Sequence, residues 1–184
     1  MRKSQKKEAI LNTAEKLFYQ NGFHAIGVKS ILDQAGVAPM TMYYHFESKE
    51  ELIKEVLARR EHQYFELVED KINKGDGIHT YIESLIQAHL NWLEAEGTNG
   101  CLFLRAKQEY EGVNEEIASL SREHKKTLVN KIENDMKVFD VPKSLGIQIM
   151  IILEGLTSMT QIQELDEIKE AADRLIKGIQ VSDK

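Results

Sequence analysis

Apolar side chains recur along this chain at the three- and four-residue spacing of helices with one buried face. Ile10, Leu11, Ala14, Leu17 and Phe18 mark a helix over about residues 5–20, and Asn21-Gly22 supplies its stop. A second helix is predicted over Val28–Ala35, with Ile31, Leu32 and Ala35 inward. Gly36-Val37 makes a tight turn, and Pro39 opens a third helix where its missing N–H costs nothing. Met42 and Phe46 face the core of that helix. Ser48, with Glu51 three residues on, forms a capping box that starts a long fourth helix running towards Asn73. Five more helices are expected, at Ile78 to about Leu93, Cys101–Tyr110, Asn114–Phe139, Lys143–Ile162 and from about residue 164 to 181. Only two prolines occur in 184 residues, too little turn punctuation for a strand-rich domain. The fold class is therefore all-α, with about nine helices.

The second and third helices, joined by a glycine turn, suggest a helix-turn-helix. The second helix of that motif enters the major groove, and its early residues reach base edges. Those residues are Pro39, Met40 and Thr41. Met40 and the Pro39 ring suit apolar contact with a thymine methyl, and the Thr41 hydroxyl can donate or accept. Tyr43, Tyr44 and His45 carry polar tips on aromatic bodies, suited to phosphate contacts that set register. Lys49, in the first turn of the fourth helix, is placed to face a phosphate together with free backbone N–H groups. Lys29 is a second phosphate candidate, and Arg2, Lys3, Lys6 and Lys7 form a basic arm that either reaches the minor groove or stays mobile.

Net charge sharpens this picture. The chain carries −6 overall, which on its face disfavours nucleic acid. Yet residues 1–46 hold six Lys/Arg against three Asp/Glu, and the remainder holds 18 against 27. A basic N-terminal module precedes an acidic body, and only the surface facing phosphates must be positive. No apolar run is long enough for a membrane span and no secretory leader is evident, so a cytoplasmic location is expected. The single cysteine, Cys101, excludes an internal disulfide and reads as a small buried hydrophobe. No Gly-rich phosphate loop, Ser/His/Asp order or Cys/His cluster points to an enzyme, and no cofactor is expected. His62, His89 and His124 lack metal-ligand spacing.

The stretch Ile31-Leu32-Asp33-Gln34-Ala35-Gly36-Val37-Ala38-Pro39-Met40-Thr41-Met42-Tyr43-Tyr44-His45-Phe46-Glu47-Ser48-Lys49-Glu50-Glu51-Leu52 resembles the DNA-binding signature of the TetR family of repressors. The resemblance spans about residues 8–57. It implies a DNA-binding domain at 1–47, followed at 48–184 by a helical domain for effector binding and dimerisation. It also implies a repressor released from a palindromic operator when a small molecule binds. Two positions depart from the family pattern, which favours Ser or Thr where Gly27 and Ala38 stand. One phosphate contact and one helix cap are lost with those hydroxyls.

The helix at about 143–162 is apolar nearly all round, unlike a lone surface helix. With the helix at about 164–181 it is expected to pair with its symmetry mates in a homodimer, as the resemblance implies. Tyr64, His89, Trp92, Phe103 and Tyr110, on the fourth to sixth helices, are candidates to line an effector pocket. His89 and His124, on apolar stripes, also fit satisfied core histidines. The competing reading is a DNA-binding regulator with no small-molecule input.

Overall fold

A computed structural model describes residues 2–179. Among these residues the chain forms nine α-helices and one short 3-10 turn, with no strand. The helices are α1 (Arg2–Asn21), α2 (Val28–Ala35), α3 (Pro39–His45), α4 (Lys49–Lys71), α5 (Ile78–Glu96), α6 (Leu102–Tyr110), α7 (Glu115–Met136), α8 (Lys143–Met159) and α9 (Leu165–Lys177).

Most boundaries follow the caps read from the sequence. Gly22 takes φ 86 after α1, and its N–H donates to Phe18 O at 2.9 Å. Ser48 Oγ accepts the Glu51 N–H at 3.1 Å, which is half of the expected capping box. The Glu51 carboxylate turns instead to Lys54, at 2.5 Å. Three helices end earlier than their apolar patterns suggest. The seventh closes at Met136 and tightens into a 3-10 turn over Lys137–Phe139, where Asp140 adopts the left-handed conformation. The eighth stops at Met159 because residues 160–163 fold into turns onto Leu156, Ser158 and Met159 carbonyls. The ninth stops at Lys177; residues 180 and 181, included in its predicted span, lie outside the described residues.

The chain divides into two compact units. The first comprises residues 1–62 and 102–124 and holds α1–α3, the start of α4, α6 and the start of α7. Its packing therefore reaches beyond the expected 1–47 module. Its core is built on Ile10, Phe18, Phe23, Ile31, Met42 and Phe46, with Leu52, Ile53 and Val56 from α4. A buried ion cluster ties α1 to α4. Glu15 accepts from Arg59 at 2.7 Å and from Arg60 at 2.8 Å, and the Arg60 guanidinium lies 4.7 Å from the Tyr19 ring centre.

The second unit comprises residues 63–101 and 125–184. Its core is drawn from the end of α4, from α5, from the end of α7 and from α8 and α9, with Tyr81, Ile82, Leu85, Ile132, Ile149 and Leu153 at its centre. No helix among the described residues is long and apolar enough to cross a membrane.

Candidate nucleic-acid interface

The turn between α2 and α3 rests on one glycine. Gly36 takes φ 64, a conformation that a Cβ disfavours, and closes α2. The Val37 N–H donates to Leu32 O at 3.0 Å, and the Val37 side chain is buried. Pro39 then begins α3 with φ already set for a helix. Neither Gly27 nor Ala38 makes a side-chain cap, in keeping with the two departures noted above. The Phe46 N–H ends the helix on Met42 O at 2.8 Å, and Phe46 itself is extended.

Helical spacing then divides the side chains of α3. Met42 and Phe46, four apart, are fully or almost fully buried. Met40, Tyr43 and Tyr44 are 79%, 64% and 60% exposed, and Pro39 joins them on the outer face. Thr41 is half-buried at its edge. Anchored on one face and bare on the other, α3 is a presented helix. Lys29 is exposed in the first turn of α2.

Two expected phosphate contacts are placed differently. The Lys49 ammonium points into the unit, where it donates to Phe23 O at 2.6 Å and lies 5.9 Å from the Phe18 ring centre. Burial lowers its pKa, against the opposing pull of Glu50 and Glu109. A lysine stem long enough to reach solvent is equally able to reach a loop carbonyl. His45 is half-buried between Tyr44 and Phe46, and its Nε2 is enclosed without a hydrogen-bond partner. Its tip is not presented as the tyrosines are. The basic arm is also altered: α1 is helical from Arg2, so this segment is not an extended arm. Lys7 pairs with Glu55 at 2.5 Å, and Lys6 is exposed. The side chains of Arg2 and Lys3 lie outside the described residues.

One part of the site escaped sequence reasoning. Helix α6 clasps the loop that follows α1. The Glu109 carboxylate accepts the Phe23 N–H at 3.1 Å and the His24 N–H at 2.7 Å, and His24 Nε2 lies 2.8 Å from Glu109 O. Arg105 donates to Tyr19 O at 2.9 Å. Tyr110 packs its ring on Phe23 and His24, with centroids 5.9 and 4.8 Å away. Gly22 was legible as a helix stop, but nothing local pointed to Glu109, the partner of Phe23 86 residues further on.

The effector candidates fall into both units. Phe103 and Tyr110 belong to the first, where Phe103 stacks on His124 with centroids 3.6 Å apart and Tyr110 serves the clasp. His124 Nδ1 lies 3.0 Å from Glu61 Oε1. Tyr64, His89 and Trp92 group in the second. Tyr64 is buried, its hydroxyl lies 3.0 Å from His89 Nδ1 and its ring lies edge-on to Trp92 at 5.4 Å. His89 Nε2 meets Leu153 O at 3.1 Å and Thr157 Oγ1 at 2.9 Å. Both His89 nitrogens are thus used inside the fold, which fits a core histidine better than a ligand contact. Burial lowers its pKa to about 4, so the ring is neutral. Cys101 is half-buried rather than buried.

Two short helices joined at Gly36, the second with one buried and one bare face, define a helix-turn-helix. Residues 10–56 match the family model of the bacterial regulatory proteins of the tetR family. The HTH-type transcriptional regulator UidR of Escherichia coli is 32% identical over 79 residues, 43% of this chain and 38% of UidR. The HTH-type transcriptional repressor NemR of the same species is 30% identical over 115 residues, 61% of this chain and 58% of NemR. The matched stretches span less than two thirds of these relatives' own lengths. A TetR-family transcriptional regulator from Streptomyces coelicolor shares the fold, with a TM-score of 0.86 at 19% identity over 95% of this chain and 94% of that one. Residues 10–56 thus belong to the tetR family of bacterial regulatory proteins, and the whole chain shares the fold of the Streptomyces regulator.

Proposed function

We propose that this chain is a transcriptional repressor that binds a near-palindromic operator as a homodimer and leaves it when a small molecule binds the helical body. The observation that carries the reading is the two-faced α3, with Met42 and Phe46 locked inward and Pro39, Met40, Tyr43 and Tyr44 outward. Exposed aromatic and apolar groups of this size serve no packing purpose within the unit. Pro39, Met40 and Thr41 are assigned to base edges, and Tyr43, Tyr44 and Lys29 to phosphates.

The second unit supports dimerisation. Ile147 and Ile151, one helical turn apart on α8, are 47% and 66% exposed, and Leu175 of α9 is 52% exposed. A second copy brought to this face by a two-fold axis gives two recognition helices and a palindromic site. The Glu109 clasp supports release: displacement of α6 removes the acceptor that holds the loop between α1 and α2. Tyr64 and Trp92 are the body residues assigned to effector contact.

A gel shift with the DNA upstream of the chain's own reading frame tests the proposal. Retardation at moderate salt, lost when a metabolite extract is added, is the expected result. No retardation beside a working control removes repression at that site.

A further inference from the structure

Resting on the DNA-binding role just proposed, we infer that α3 recognises its site chiefly through methyl groups: Met40 and Pro39 read the 5-methyl of thymine in the major groove.

The side chains available on α3 lead there. Direct readout of guanine relies on Arg or Lys, of adenine on Asn or Gln, and of cytosine on Asp or Glu. The sequence of α3, Pro-Met-Thr-Met-Tyr-Tyr-His, holds none of these. Neighbouring groups do not make up the deficit. The Lys49 ammonium is turned to Phe23 O, and His45 Nε2 is enclosed. Lys29 is exposed, but it sits on α2, the helix that crosses the backbone in this motif.

Apart from the Tyr43 and Tyr44 tips assigned to phosphates, what α3 presents is apolar. Met40, the most exposed large apolar residue of the chain among those described, lies in its first turn beside the exposed Pro39 ring. The thymine methyl is the one apolar feature of the major-groove edge, and it separates thymine from cytosine and from uracil. A flexible thioether side chain adapts its shape to that methyl, and burying both removes apolar surface from water. Thr41 bonds to either type of base edge and adds little selectivity alone.

The test uses full-length protein and duplexes enriched by it from a random-sequence pool. Each thymidine of the enriched duplex is replaced in turn by deoxyuridine, which removes only the methyl. At the positions Met40 touches, affinity should fall about fourfold, the value of one buried methyl. At those positions a 5-methylcytosine·guanine pair should bind better than cytosine·guanine. Met40→Ala should abolish the thymine-uracil difference there, and Met40→Leu should keep it. Met40 is exposed, so neither variant disturbs the core. An enriched duplex that binds equally well with uracil throughout overturns the inference and leaves the DNA-binding role intact. So does a thymine-uracil difference that survives Met40→Ala. A pool that yields no enriched sequence removes the DNA-binding role and the inference together.

Discussion

Glu109 occupies the space that a side chain at Gly22 would need: its Oε1 lies 2.6 Å from the point where a Cβ on Gly22 would stand. Gly22 is thus required twice, once for its φ of 86 and once for the carboxylate that seats beside it. Gly22→Ala should destabilise the protein by roughly 1–3 kcal/mol and weaken operator binding as well. Glu109→Ala in the same background should recover part of the stability, because it clears the space, but not the binding. Urea denaturation beside gel shifts of the single and double variants checks both; equal losses of binding and stability in all three would refute the pairing.

Lys49 distinguishes a structural lysine from a phosphate contact. Lys49→Met leaves Phe23 O with only the long 3.4 Å bond from the Ile26 N–H and should cost about 1 kcal/mol of stability. The slope of operator affinity against salt should stay the same. A slope that fell by about 0.9 would instead mark Lys49 as a neutralised phosphate partner.

Lys29 and Tyr43 should behave in the opposite way. Lys29→Ala is expected to leave stability unchanged and to reduce the salt slope by about 0.9. Tyr43→Phe should weaken binding to all sequences alike, since a phosphate contact carries no base information. Competition against mismatched operators would reveal any base preference that moved with Tyr43.

His89 sets a pH dependence. Its folded pKa of about 4 lies below the ordinary 6.5, so the unfolded chain binds the proton first as pH falls. Stability is unaffected by this group above pH 6.5 and declines between 6.5 and about 4, by roughly 3 kcal/mol at the lower end. His89→Gln should unfold more readily at pH 7 but lose less on acidification than the parent. Thermal unfolding of both proteins across this range gives the comparison.

The exposed isoleucine of α8 offers a direct test of assembly. Ile151→Glu should yield monomers in sedimentation at micromolar concentration, with the circular dichroism of the helices unchanged. Operator affinity should fall because half-sites are then bound singly. A variant that remained dimeric would place the interface elsewhere.

Apolar periodicity carried most of the fold because helices bury one stripe, and Gly22, Gly36, Pro39 and Ser48 announce their ends locally. The bare face of α3 was equally legible, since residues 42 and 46 claim the inward face and leave 39, 40, 43 and 44 outside. Directions of long or two-sided side chains were not. Lys49 has a carbonyl within reach that no nearby residue signals, and His45 is enclosed by rings on both sides of it in the chain. Phe103 and Tyr110 differ from Tyr64 and His89 in unit membership, which depends on packing between segments far apart in sequence.

That the first unit is assembled from residues 1–62 and 102–124 also orders events during synthesis. A ribosome adding about 5–20 residues per second takes some seconds to pass from position 62 to α6. Through that interval the emerging α1–α3 segment has its Tyr19 carbonyl and its Phe23 and His24 amides uncovered, waiting for Arg105 and Glu109. Nascent chains cut short before α6 would therefore carry α3 without the clasp that holds the loop after α1, and translation through residue 124 becomes the condition for a finished first unit.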